Sequence, residues 1–369
     1  MVSIARKNLF AEKMRFAMSV SGVGFSVFLI TLLLSLFRGW NDRVGSFVEH
    51  VPVDIWVARE GTTDFLRPIS VLPQEIAGEL RALEGVDSVH PLVVIPTGFE
   101  WEGKAVETHL VGYDTTGSAG GPLEIVEGKP VPSEGEMVID KALSKMYGPN
   151  IGDVLEHSGQ SFEVVGLASG GNFVATQVSF MPIESARRLL GVEELTTFYL
   201  VMVDDQHEPV VVAERIEENL TGVSAFTGED FADTTRDRTL RDVIPILIII
   251  LILAFVVGAA VTGLMIYTAT VEKAREFGIL RAVGFSNGYL YRVVIEQSLI
   301  TGLVGFTGGV ILNVVVGRFA EDLVPQFVIL VRWTDVAAVL GVTLAMSALA
   351  ALLPVRRLAG IDPVTVFKA

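Results

Sequence analysis

The chain has 369 residues, half of them hydrophobic, with 43 acidic residues against 28 basic ones and a formal net charge of -15. So apolar a chain cannot place that many carboxylates in lipid, so it divides into membrane-spanning and water-exposed parts, and the acidic excess argues against binding nucleic acid or anionic headgroups. It contains no Cys, which excludes disulfides, thiolate catalysis and Cys-based metal sites while leaving the compartment open.

Residues 1–15 carry Arg6, Lys7, Lys13 and Arg15 against Glu12. Residues 16–37 are uncharged and long enough to cross a bilayer. They exceed a signal peptide's apolar core and show no small-x-small cleavage site before Arg38, so they read as a retained first span.

Residues 38–242 hold 35 acidic and 15 basic side chains. β-Branched runs at Val51–Val57, Val89–Ile95, Glu163–Leu167 and Phe198–Val203 predict strands. Pro73–Leu83, Glu184–Leu190 and Pro209–Leu220 predict helices, the last two stopped by Gly191 and Gly222. The interleaving predicts an α+β domain. Gly117–Gly121 reads as a loop and a candidate divider between two subdomains. Gly228–Asp242 is polar, lacks Pro and leads directly into the second span, residues 243–270. It predicts a helix that continues from Phe231 across at least 40 residues, about 60 Å at 1.5 Å per residue. Phe231, Thr235 and Leu240 then belong to a stalk, with a kink at Pro245; the alternative is a mobile linker.

Residues 271–292 alternate charge with the apolar Phe277, Leu280, Val283 and Phe285 at roughly helical spacing. That pattern suits a docking helix or one lying at the lipid headgroups. The third span, residues 293–317, contains Glu296, one turn inside and four residues after Arg292. An interfacial ion pair is the favoured reading over proton transport. Gly302, Gly305, Gly308 and Gly309 give this span a small-residue stripe, as Gly341, Ala345 and Ala348 do the fourth, residues 336–355. Residues 318–335 form a short outer loop and 356–369 a tail.

Basic residues near the spans concentrate in 1–15, 271–292 and the tail, where Arg356, Arg357 and Lys368 face Asp362. All three therefore lie in the cytoplasm and residues 38–242 outside it. The expected architecture is a multi-pass α-helical membrane protein with four transmembrane helices and a large α+β extracytoplasmic domain, in the inner or plasma membrane.

No phosphate-cradling GxxxxGK[ST] loop occurs. At Gly128-Lys129, Leu123 stands where the first Gly belongs and Pro130 where Ser or Thr does. His50, His90, His109, His157 and His207 make no HExxH and no helical ligand pair. No G-x-S-x-G elbow appears. The chain is read as having no catalytic residues, no metal site and no bound cofactor.

The run REFGILRAVG with the following IEQSLITGLVGFTGG resembles the signature of the permease subunits of the macrolide-exporter and FtsX superfamily of ABC systems, which includes MacB, LolC, LolE, FtsX and DevC-type permeases. ARKNLFAEKMRFAMSVSGVGF and LPVRRLAGIDPVTVFKA resemble that family's two ends, and EGEMVIDKALSKMYGPNIGDVLEHSGQSFEVVGL its outer domain, in which a short helix precedes Gly-Asp and a hairpin. The resemblance implies that Arg275, Glu276, Phe277, Gly278, Leu280, Arg281, Ala282 and Gly284 form the coupling helix that sits in a groove of the ATPase, with Phe277 where an aliphatic residue is commoner. It also implies a dimer of cytoplasmic ATPase subunits that carry ATP and Mg, a second permease copy or paralogue, a periplasmic adaptor or membrane-fusion protein as a further partner, and membrane lipid around the spans. Its outer domain stands on extensions of the first two spans. The output implied is export or extraction of a lipophilic, peptide or lipoprotein substrate by mechanotransmission; the alternative is an FtsX-like protein that activates a cell-wall hydrolase.

Overall fold

The computed structural model describes residues 13–65, 70–117, 119–171, 177–191, 194, 196–241, 243–272, 279, 283, 285–324 and 327–359. The chain forms two compact units. One comprises Met1–Arg38, Ile244–Leu323 and Val328–Ala369; the other comprises Gly39–Val243 and Val324–Phe327.

The second unit is α/β. Its strands are β1 (Ile55–Arg59), β2 (Val86–Trp101), β3 (Lys104–Tyr113), β4 (Glu124–Gly128), β5 (Glu136–Asp140), β6 (Val154–His157), β7 (Gln160–Ser169), β8 (Val178–Pro182), β9 (Phe198–Val203) and β10 (Val223–Thr227). All ten belong to one sheet, in the order β10-β1-β9-β2-β3-β8-β5-β7-β4. Strand β6 pairs with both β7 and β2, so β2, β3, β8, β5, β7 and β6 close into a six-stranded ring. Closure removes free edges along that path.

Strand β2 joins the ring to the open remainder of the sheet. Its first half pairs with β9, from Val86 to Leu92, and its second half with β3, from Leu92 to Trp101. The Gly117–Gly121 loop therefore does not divide two subdomains. The sheet passes beneath it, and the loop is held close to it: a Cβ on Gly120 would lie 2.4 Å from Leu92 and one on Gly121 2.8 Å from the Tyr113 ring.

The helices cover both parts. Ring residues Phe99, Leu110, Met137, Ile139, Leu155 and Phe162 share a core with Leu143 of α4 (Lys141–Tyr147) and Ala186 and Leu189 of α5 (Ile183–Leu190). Asp140 caps α4 by accepting the Ala142 N–H at 2.7 Å, and Gly148 ends it at φ +110°. A short helix, Gly152-Asp153 and the β6–β7 hairpin follow one another here. On the open half, α3 (Glu75–Arg81) and α6 (Pro209–Asn219) bury Leu80, Val212 and Ile216 against Ile55, Val57 and Val201. Strand β1 starts at Ile55, later than the Val51 expected from β-branching, because the Val51 N–H closes a turn on Phe47 O and Val53 N–H bonds Val51 O. Two further helices, α2 (Ser46–His50) and α7 (Gly228–Arg241), pack on each other and on the sheet.

The first unit is helical. It contains most of α1 (Lys13–Val44), together with α8 (Val243–Glu272), α9 (Asn287–Leu323) and α10 (Trp333–Ala359). Each contains a stretch long and apolar enough to cross a membrane. Helix α9 has 37 residues, about 55 Å at 1.5 Å each, so it outruns the roughly 30 Å hydrocarbon core. It begins six residues before the expected span and ends six after it.

Small residues set the helix approaches. Gly24 O lies 2.6 Å from where a Gly309 Cβ would stand, and Val23 2.7 Å from that of Gly305, so α1 and α9 cross at backbone distance. Gly302 faces the side chains of Ser347 and Thr343 of α10. On α10 the expected stripe is on the other side: Gly341, Ala345 and Ala348 are exposed, while Thr343, Met346, Ser347 and Ala350 are buried. The Thr343 hydroxyl bonds within its own helix, Oγ1 to Val339 O at 2.8 Å, and small polar residues occupy the packed face.

Gly112 of β3 tests the ring packing. A Cβ there would stand 2.5 Å from Ala186 Cβ and 3.3 Å from Ile183 Cα, whereas one on Gly98 of β2 meets nothing within 4 Å. Gly112→Ala is expected to cost about 1–3 kcal/mol and Gly98→Ala no more than about 0.5 kcal/mol, measured by thermal unfolding of the purified chain.

Candidate transmission site

The eight proposed coupling residues, Arg275, Glu276, Phe277, Gly278, Leu280, Arg281, Ala282 and Gly284, lie outside the described residues. Their described neighbours show what flanks them. Ile279 and Val283 are exposed, and Val283 N–H bonds Ile279 O at 3.0 Å. The Phe285 ring packs on Tyr289 with centroids 4.9 Å apart. Ser286 starts α9, its Oγ accepting the Tyr289 N–H at 3.3 Å. At the end of α8, Glu272 pairs with Arg15 of α1 at 2.6 Å. Arg292 is exposed and Glu296 half-buried, one turn apart on α9, and Glu296 takes part in an interaction.

The stalk residues are buried, and Phe231 belongs to the core of the α/β unit. Phe231 and Thr235 are fully buried and Leu240 nearly so. Phe231 packs against Trp56, Phe198 and Phe226, with ring centroids 5.6, 5.6 and 5.2 Å away. Thr235 Oγ1 accepts the Phe65 N–H at 3.2 Å. This face of α7 is thus anchored to the sheet, and its solvent side carries Asp233, Asp237, Arg238 and Arg241. After Arg241 one residue outside the described set, Asp242, separates α7 from α8.

An ionic clasp joins α7 to α2. Arg236 donates to Glu49 and, at 2.7 Å, to Asp233. Gly45 leaves the room, since a Cβ there would stand 2.5 Å from Arg236 Nε. The two carboxylates hold the guanidinium's pKa up against the lowering effect of its burial. Nearby, burial pushes the Asp140 carboxyl up; the Ala142 and Gly171 N–H groups and the charge of Arg43, near the end of α1, oppose the shift. Burial also raises the Tyr113 hydroxyl to about 12.

The helical unit contains polar contacts that sequence reasoning missed. Arg38 of α1 grips Asp335 of α10 through two bonds of 3.0 and 3.1 Å. Ser298 Oγ donates to Ser347 O at 2.5 Å, and Asn313 Nδ2 to Ser35 Oγ at 3.3 Å. A polar Asn in an apolar span was the available signal for the last of these. Among the histidines, His50 contacts Ser46 O, His157 Gly98 O, His90 Ser88 Oγ and His207 Asp204. Each of these contacts is local or structural.

Comparison with known proteins gives the arrangement its context. The model of the MacB-like periplasmic core domain matches residues 16–219 and that of the FtsX-like permease C-terminal region residues 248–363. An uncharacterized ABC transporter permease of Mycobacterium tuberculosis is 20% identical over 369 residues, covering 100% of this chain and 99% of its own. The macrolide export ATP-binding/permease protein MacB of Hahella chejuensis is 23% identical over 96% of this chain and 58% of its own. The crystal structure of the periplasmic region of MacB from Actinobacillus actinomycetemcomitans aligns with 50% of this chain and 92% of that one at 14% identity and a TM-score of 0.39. With the core-domain model covering more than half of the chain and the permease model most of the rest, the chain belongs to the MacB and FtsX superfamily of ABC transporter permeases.

Proposed function

We propose that this permease transmits the motion of an ATPase dimer to its α/β unit by mechanotransmission, without passing substrate through its own spans. The observation that carries the reading is the burial of Phe231 and Thr235: the helix leading toward the second span is built into the sheet core. ATP and Mg reside on the ATPase subunits, and this chain supplies the coupling residues Arg275 to Gly284. An ATPase on a separate polypeptide is supported by the Mycobacterium tuberculosis relative, which matches this chain over 99% of its own length and is called a permease. A second permease copy or paralogue completes the membrane part. The exposed Gly341, Ala345 and Ala348 of α10 offer such a neighbour a close-packing face. Export or extraction of a lipophilic, peptide or lipoprotein substrate is the output, with a periplasmic adaptor as further partner. Activation of a cell-wall hydrolase is the alternative, and crosslinking from the α/β unit separates the two.

Both termini and Gly284 are cytoplasmic in this reading and Gly117 lies outside, in the inner or plasma membrane. The absence of Cys makes single-cysteine labelling clean. A cysteine at Gly117 is expected to react with an impermeant maleimide on intact spheroplasts and one at Gly284 only after lysis; the reverse pattern overturns the topology.

Coupling is tested by Glu276→Arg and Leu280→Asp, which set a repelled or desolvated charge into a docking surface. Each is expected to weaken ATPase association by about 2–5 kcal/mol if the contact is buried. Unchanged ATPase co-purification in both variants removes these residues from the interface.

Transmission is tested at Arg238, exposed on α7. Arg238→Pro breaks one helical hydrogen bond at about 3 kcal/mol, whereas Arg238→Ala keeps the helix. Reconstituted complexes of the proline variant are expected to hydrolyse ATP while losing output, and those of the alanine variant to retain both. Full output from the proline variant shows that α7 does not carry the motion.

A further inference from the structure

A cavity of about 460 Å³ opens in the wall of the β-ring where β2 and β3 run past the end of α4. Its lining includes Thr108, Gln177, Pro96, Met146, Tyr147 and Glu107. Gln177 is 1% exposed, yet among the described residues neither the nitrogen nor the oxygen of its side-chain amide has a hydrogen-bond partner. Buried polar groups in folded proteins are nearly always bonded, and one that is not retains its full desolvation penalty. The amide therefore has donor and acceptor capacity that no described residue takes up.

The main chain around it is firmly tied. The Gln177 carbonyl accepts the His109 N–H at 2.8 Å and the Thr108 hydroxyl at 2.9 Å, and Thr108 Oγ1 also lies 3.2 Å from Ser179 Oγ. Rotation of the Gln177 side chain toward the cavity breaks none of these bonds. A carboxamide offers one donor and one acceptor side by side, and its natural complement is another amide. Met146, Tyr147 and Pro96 supply apolar wall, and the Glu107 carboxylate disfavours an anion. The volume falls within the range of small-ligand sites.

We propose that this cavity is a binding site for a small uncharged ligand carrying a carboxamide or peptide group, recognised by the Gln177 side chain. The site lies wholly within the α/β unit and stands independently of the coupling mechanism. Gln177 is the specificity determinant, and Thr108 positions it through its carbonyl.

The test uses the full chain in lipid nanodiscs with a single cysteine, Ala105→Cys, on the cavity wall, carrying an environment-sensitive fluorophore. The probes are N-acetylleucine N-methylamide and the isosteric diester in which oxygen replaces both amide nitrogens. The diamide is expected to bind saturably and the diester at least about tenfold more weakly, the loss of roughly one hydrogen bond. In Gln177→Met, diamide affinity falls by about tenfold while Tm stays level or rises, since the orphan amide has gone. No saturable response to the diamide, or equal affinity for the two probes, overturns the proposal without reference to any variant. A lower Tm for Gln177→Met overturns it as well, because it shows the amide to be partnered in the unliganded protein.

Discussion

Burial of one face of α7 under the sheet is the interaction on which the mechanical reading depends. Placing a Phe such as Phe231 in a core is worth about 1.5–3 kcal/mol, and each well-oriented ring pair adds about 0.5–1.5 kcal/mol. Phe231 has three such neighbours in Trp56, Phe198 and Phe226. The clasp of Arg236 on Glu49 and Asp233 is partly exposed and contributes up to about 1 kcal/mol. Aromatic burial therefore anchors the helix, and the ion pairs orient α2 against it. Displacing α7 means displacing the sheet edge it covers, as a transmission element requires and a tether does not.

The helical unit is held together by different physics. Lipid is as apolar as the side chains, so burial gives the helices little reason to associate, and close packing with a few hydrogen bonds must do so. The meeting of Gly24 with Gly305 and Gly309 brings the α1 and α9 backbones together. Ser298 and Asn313 add bonds of the kind that average about 0.6 kcal/mol in membranes. Arg38 and Asp335 close α1 on α10 with paired charges. Helix α8 takes the smallest part in this packing, most of its apolar surface being left to lipid or to another chain.

The spans were legible because a run of about 20 uncharged residues has one physical outcome in a bilayer. Strand β9 was legible to the residue, Phe198–Val203, as a short apolar run of aromatic, Leu and Val residues whose first four side chains are all buried. Closure of the ring was not: β6 is four residues long, and although it pairs with β7 in a local hairpin, its pairing with β2 joins chain segments more than fifty residues apart. The α10 stripe carried no sign of which neighbour it would meet, because Gly and Ala signal permission to pack, not the direction in which a neighbour lies. At the candidate site, helix propensity located α7 but carried no sign that Thr235 serves the Phe65 N–H. Gln177 gave no warning either, since a lone Gln ahead of a strand is ordinary until its burial is seen. The coupling residues were drawn from motif resemblance alone.

The central claim is that nucleotide state moves the α/β unit against the helical unit. Spin labels at Glu102, on the β2–β3 turn, and at Trp333, the exposed first residue of α10, allow this distance to be measured by pulsed electron paramagnetic resonance in the assembled complex, diluted with unlabelled protein. The account predicts a shift in the distance distribution between nucleotide-free and ATP-bound complexes, abolished by Arg238→Pro. An unchanged distribution in complexes that hydrolyse ATP and deliver output would contradict it.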